Sequence, residues 1–286
     1  MQKLLNSSIS IDIWKYINQK YGKIIYISKQ NEAITNKVFY IKTIHTELLL
    51  KLLSANNSII NRLDEIKIIQ YCMKYNITTN LLDYKVKKYL LFQYIPNSYC
   101  LPINNNSLKL ICLFANYLSI LHNANLKINI RSYKNIINKY ANSVSMSSPN
   151  INFTLDYAKN ILKNIDKFSI NLGLSHNDIN RFNIMTTKED SLYIFDFEYS
   201  AINDIYFDLA SVYINFSKDD FNIFITEYIK ITSLNFSIDK LLLYVKLIYI
   251  ISILWSYKIL SYNIINNKLI YENIINTSLI YLKQNM

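Results

Sequence analysis

The sequence predicts an α+β protein of two lobes, a small β-rich lobe over residues 1–96 and a larger, mainly helical lobe over 97–286. Three observations predict it. β-Branched and aromatic runs crowd into residues 22–43 and 86–95. Pro96, Asn97 and Ser98 break the second run, and from Leu108 onward apolar residues recur mostly at helical spacing. With 286 residues, 51% of them hydrophobic, the chain has apolar surface for a sizeable core.

Taken in order, GKIIYI (22–27) and KVFYIKT (37–43) flank the polar segment SKQNEAITN, the pattern of a β-hairpin. A helix is expected from about Asn61 to Tyr75, where Leu63, Ile66, Ile69 and Gln70 or Met73 recur at helical intervals. VKKYLLFQYI (86–95) reads as a strand, Leu108 to His122 as a strong helix, ANSVSMSSPN (141–150) as a loop, and about 151–168 as further helix. Strands and a hairpin fill Leu172 to Phe197, and nearly everything after Asp208 reads as helix. The most apolar stretch, Leu241–Tyr257, is interrupted by Lys246 and bounded by Lys240 and Lys258, so it predicts a buried helix and no membrane insertion.

Composition excludes several classes. The chain carries 31 basic and 20 acidic residues, a net charge of +11, but the basic residues form no tract beyond Lys85–Lys88. No nucleic-acid partner is expected from a basic excess without a stripe. Ile, Asn, Lys and Tyr dominate, with 25 Tyr against 2 Gly, which is the bias of an AT-rich genome. Cys72, Cys100 and Cys112 have no C-x-x-C spacing and there is no secretion-like leader, so reduced thiols in a cytoplasmic protein are expected. His45, His122 and His176 are too dispersed for a histidine metal site, and His122 reads as a helix-surface residue.

The chemistry concentrates in GLSHNDINRFNIMTTKEDSLYIFDFEYSAINDIYFDLA, residues 173–210. Asp178, Asp196, Glu198, Asp204 and Asp208 fall there in a chain otherwise poor in acids. Asp196 stands in the apolar strand LYIFDFEY, where an ionised carboxylate needs a cation or hydrogen-bond donors. An amide oxygen from Asn183 and a carboxylate oxygen from Asp196 suit magnesium (Mg2+). Asp178 precedes Asn183 by five residues on one loop, so a base and metal ligands could surround one phosphate, as phosphoryl transfer requires.

The spacing H-x-D-x-x-x-x-N at His176, Asp178 and Asn183, followed by D-F-E at 196–198, resembles the protein-kinase-like phosphotransferases. The extended pattern HND…N…DFEYS…ND…FDLA is similar to the choline/ethanolamine kinase family, particularly bacterial choline kinases. AITNKVFYIKT (33–43), NRLDE (61–65), FQYIPN (92–97) and FANYLSILH (114–122) resemble further segments of that family, and six segments in order are a specific signal.

The resemblance implies a two-lobed protein-kinase-like fold that binds ATP and Mg2+. Asp178 would be the catalytic base, and Asn183 and Asp196 the metal ligands. Lys42 would contact the nucleotide phosphates and pair with Glu65; Thr35, Asn36, Gln93 and Tyr94 would complete the nucleotide site. Asp208 would anchor the catalytic loop, and His176 would pack and hydrogen-bond. Glu198, Tyr199 and Trp255 would hold the small-molecule substrate, choline, whose quaternary ammonium favours aromatic faces. The implied product is phosphocholine. Ethanolamine kinase, aminoglycoside phosphotransferase and a catalytically inactive kinase-like binding protein are the alternatives. The first turn, SKQNEAITNK, departs from the family in having no glycine, and Phe182 stands where a small residue is common. Oligomeric state is not legible.

Overall fold

Strands β1 (Ile24–Gln30) and β2 (Lys37–Thr43) pair antiparallel as the hairpin pattern predicts, with Ile27 opposite Ile41. The structure, a computed structural model, describes residues 9–30, 36–54, 60–104, 106–144, 148–261 and 267–285. It divides into two compact units, residues 1–100 with 185–198, and residues 101–184 with 199–286. Where the sequence reading cuts the chain once, at residue 96, the backbone thus returns to the first unit for fourteen residues.

The first unit is built on a five-stranded antiparallel sheet in the order β1-β2-β3-β5-β4, with β3 at Glu47–Leu52, β4 at Leu81–Lys85 and β5 at Tyr89–Gln93. One sheet face carries Ile27, Phe39, Ile41, Leu48, Leu50 and Leu91, which pack with Ile17 of helix α1 (Ile11–Tyr21) into an apolar core. Helix α2 (Arg62–Lys74) starts at Asn61, whose Oδ1 accepts the backbone N–H groups of Leu63 and Asp64. Lys87, at φ 62°, turns the chain between β4 and β5, so the expected strand at 86–95 begins three residues later. Two-residue strand β6 (Tyr99–Cys100) pairs with β8 (Ile184–Thr186), which lies beside β9 (Leu192–Ile194). The Ile194 N–H donates to the carbonyl of Ile77 at 2.7 Å, tying this hairpin to the first unit.

The second unit is helical around one short sheet. Strands β7 (Leu172–Ser175) and β10 (Ala201–Asp204) pair antiparallel, Ser175 opposite Ala201. The unit's helices are α3 (Leu108–His122), which packs against β7, α4 (Tyr133–Ser143), α5 (Pro149–Ile165), α6 (Tyr206–Asn215), α7 (Lys218–Thr232), α8 (Ile238–Leu260) and α9 (Lys268–Gln284). α8 packs against α4, α5, α6 and α9 and buries Leu241, Tyr244, Leu247, Ile250 and Leu254, as its apolar sequence predicts. Among the described residues no helix is long and apolar enough to cross a membrane.

Candidate active site

In the first unit β3, α2 and the segment that follows β9 bring five charged side chains together. Lys51 is the lone charge in the apolar run LLLKLL (48–53) of β3. Its Nζ lies 2.7 Å from Asp196 Oδ1, 3.3 Å from Glu65 Oε1 and 3.6 Å from Glu198 Oε2. Burial alone would lower the ammonium pKa, but the carboxylates, Asp196 foremost, outweigh burial and hold it above its ordinary value. Lys51 is therefore a cation at neutral pH. Arg62, at the start of α2, donates from Nη1 to Glu65 Oε2 at 2.6 Å and to Glu198 Oε2 at 3.0 Å. Asn36 Nδ2 donates to the same Glu198 oxygen at 2.9 Å. Asp196 itself takes φ 64°, a left-handed conformation that costs a non-glycine residue energy and is characteristic of functional loops.

Glu65, Asp196 and Glu198 each place an oxygen within 4.8 Å of one another. These are hard donors of the kind magnesium takes, and Asp196, at 30% side-chain exposure, is the most accessible of the three.

The expected Lys42–Glu65 pair is not present. Lys42 stands directly across from Glu47 in the β2–β3 ladder and pairs with it at 3.1 Å, its side chain 48% exposed. Lys51 lies on the same sheet face, four residues along β3 from Glu47, which is about 13 Å of strand. The lysine that meets Glu65 is thus one strand later than the sequence reading placed it. Glu198, expected beside the substrate ammonium, is instead 2% exposed and held by Arg62 and Asn36. Gln93 ends β5, where its N–H donates to Asn80 O and its carbonyl accepts from Thr79 Oγ1. The Tyr94 N–H donates to Glu47 O, and its ring meets Tyr40 at 4.6 Å. Thr35 lies outside the described residues.

In the second unit, β7 runs directly into the loop that carries Asp178. Asn183 Nδ2 donates to Asp178 Oδ2 at 2.8 Å and Asn180 Nδ2 to Asp178 Oδ1 at 3.2 Å, so two amides orient the carboxylate. Asp208, fully buried on α6, accepts the N–H of His176 at 2.6 Å and that of Asn177 at 2.8 Å. Asn177 takes φ 63°, and its side-chain amide reaches the carbonyls of Ser175 and Tyr199. His176 is fully buried, and its Nδ1 accepts the Asp178 N–H at 3.3 Å. His122, expected at the helix surface, is 6% exposed: one ring nitrogen meets Asp208 Oδ2 at 3.1 Å and the other meets Tyr228 Oη at 2.6 Å. The Tyr199 carbonyl also accepts from Arg131. Trp255 on α8 stands 5.6 Å, centroid to centroid, from Tyr271 of α9.

The two expected metal ligands lie one in each unit, Asp196 in the first and Asn183 in the second. Lys51 and Arg62 escaped the sequence reading. Lys51 carried the signal that singled out Asp196, a lone charge inside an apolar strand; Arg62 sat inside the quoted motif NRLDE without a role.

Comparison with known proteins decides the family. The family model described as choline/ethanolamine kinase matches residues 27–246. The chain belongs to the choline/ethanolamine kinase family. No curated protein matches the sequence. Among solved structures, the choline kinase LicA from Streptococcus pneumoniae superposes with a TM-score of 0.81 at 19% identity, covering 96% of this chain and 98% of that one. The choline kinase of Cryptosporidium parvum Iowa II gives 0.71 at 18% identity over 95% and 90%. The ethanolamine kinase of Plasmodium vivax gives 0.69 at 21% over 92% and 86%. These likenesses show the two-lobed kinase-like α+β fold that the sequence predicts. As a choline/ethanolamine kinase family member, the protein is an ATP-dependent phosphotransferase with an alcohol group as acceptor.

Proposed function

We propose that this family member is a choline kinase, transferring the γ-phosphoryl group of ATP to the choline hydroxyl to give phosphocholine. The observation that carries the chemical part is the Asp178 carboxylate, oriented by Asn183 and Asn180 on a loop pinned by Asp208. Asp178 accepts the proton of the acceptor hydroxyl as that oxygen attacks phosphorus. Lys51, kept charged by its carboxylates, takes the phosphate role that the sequence reading gave to Lys42. Asn36, Gln93 and Tyr94 belong to the nucleotide lobe. Asn183 and Asp196 would hold magnesium, which supplies charge neutralisation on the nucleotide phosphates.

The pattern DFEYS…ND…FDLA resembles bacterial choline kinases, and Tyr199 and Trp255 are aromatic groups that suit an ammonium without N–H donors. An ADP-release assay across choline, ethanolamine, thiamine, kanamycin and methylthioribose tests it: choline should give the highest kcat/KM. Trp255→Ala should raise the choline KM roughly 5–30-fold while moving the ethanolamine KM far less. A preference for ethanolamine in the unmutated protein overturns the choline assignment and leaves the family intact. Asp178→Asn should lower turnover about 10²–10⁴-fold with ATP binding retained.

A further inference from the structure

Glu65 does not serve Lys51 alone. Its two carboxylate oxygens are divided, Oε1 to Lys51 at 3.3 Å and Oε2 to Arg62 at 2.6 Å. Arg62 Nη1 then bridges to Glu198 Oε2 at 3.0 Å, and Asn36 donates to that oxygen as well. The Arg62 and Glu198 side chains are 8% and 1% exposed, so this bridge is shielded from water and from salt. The bridge joins the first turn of α2 to the segment that also carries Asp196, two residues before Glu198.

Charge decides what Arg62 does. Two cations, Lys51 and Arg62, face three carboxylates, Glu65, Asp196 and Glu198, leaving one negative charge. Burial lowers and the carboxylates of Glu65 and Glu198 raise the guanidinium pKa; the net is a rise, so Arg62 stays charged. Without it, two uncompensated negative charges would surround the Lys51 ammonium in a buried site. Lys51 would be bound more tightly by carboxylates, and an incoming polyphosphate would be repelled.

We infer that Arg62 is a positioning residue for phosphoryl transfer: it occupies Glu65 and Glu198 so that Lys51 remains available to the nucleotide phosphates. This rests on the assignment of Lys51 to phosphate made above. Arg62 acts through its two glutamates and touches no reacting atom itself.

The test is steady-state kinetics of the full chain with choline and ethanolamine as acceptors, on Arg62→Met, Arg62→Lys, Lys51→Met and the double variant Arg62→Met/Glu198→Gln. Arg62→Met should raise the KM for ATP about tenfold and leave the acceptor KM within about twofold. Arg62→Lys, which keeps the charge on a shorter side chain, should fall between the two. The double variant returns the cluster to one net negative charge and should recover most of the ATP KM, to within about threefold of the parent. A residue that only braced the fold would not be rescued by neutralising Glu198. The inference is overturned if Arg62→Met leaves the ATP KM unchanged, or raises both KM values alike. It is overturned equally if the double variant is no better than the single one. Should Arg62→Met fail to fold, Arg62→Lys and the double variant decide the matter by the same comparison. An unchanged ATP KM in Lys51→Met would instead remove the phosphate assignment of Lys51. A loss in Lys51→Met with none in Arg62→Met would remove only the role given to Arg62.

Discussion

Lys51 and Glu65 meet at 3.3 Å with side chains 9% and 1% exposed, and neither group can be removed without leaving the other's charge poorly matched in a buried setting. Lys51→Ala and Glu65→Ala should therefore impair one step, use of ATP, and a double-mutant cycle should show a coupling of about 0.5–3 kcal/mol. Lys42→Ala removes only a half-exposed pair with Glu47 and should change kcat/KM for ATP less than about threefold. Additive losses at Lys51 and Glu65, with a large loss at Lys42, would return the phosphate role to β2. The same residues show what a single sequence can reveal. The stretch 173–210 that holds Asp178, Asn183, Asp196 and Asp208 was legible as the place where the acids concentrate, and so was the anchoring of its loop by Asp208, which accepts the N–H groups of His176 and Asn177. The partner of Glu65 was not, because the choice between Lys42 and Lys51 depends on strand register, which places Lys42 opposite Glu47 and Lys51 opposite Val38.

Gly173 lets two elements of the second unit approach. It lies in β7, and a Cβ there would fall 2.6 Å from the backbone carbonyl oxygen of His122, at the end of α3, and 2.6 Å from Ile205 Cγ2. A backbone oxygen cannot swing aside as a flexible side chain can, so Gly173→Ala should destabilise the protein by about 1–3 kcal/mol. Because β7 leads straight into the Asp178 loop and α3 supplies His122 to Asp208, turnover should fall too. Thermal unfolding with parallel kcat measurements checks this. An unchanged Tm with full turnover would mean that α3 moves away at no cost. At this scale α3 and α2 were the most legible elements. Ser107 and Asn61 cap them, and apolar residues recur at helical intervals. β3 left no comparable trace. It is the middle strand of five, with Leu48 and Leu50 buried on one face and Lys51 on the other, so ELLLKL shows no alternation to read.

Across the whole molecule, the compositional bias toward tyrosine becomes a stability property. The chain has 25 tyrosines, and several stand with their hydroxyls in the interior, among them Tyr89, Tyr206, Tyr228 and Tyr244. Burial, the largest cause for all four, raises each phenol above its ordinary value near 10, and carboxylates add to it: Asp83 at Tyr89, Asp208 at Tyr228, Asp204 at Tyr206 and Tyr244. A phenol with a raised folded-state pKa keeps its proton in the native chain after the unfolded chain has lost it. Its contribution to stability is fully present below pH about 10 and is lost as pH rises from there toward the folded value. Lys51, also raised, acts in the same direction, whereas Lys240 and Lys258, lowered chiefly by burial, oppose it. Four phenols outweigh that opposition, with a combined slope of up to roughly 5 kcal/mol per pH unit at its steepest. Stability should therefore hold to about pH 9 and collapse above about pH 10. Tyrosinate absorbance from Tyr89, Tyr206, Tyr228 and Tyr244 should then appear only together with loss of near-ultraviolet circular dichroism. If all 25 tyrosines ionise in a single transition while the circular dichroism stays native, the interior hydroxyls are open to solvent and the argument for alkaline unfolding fails.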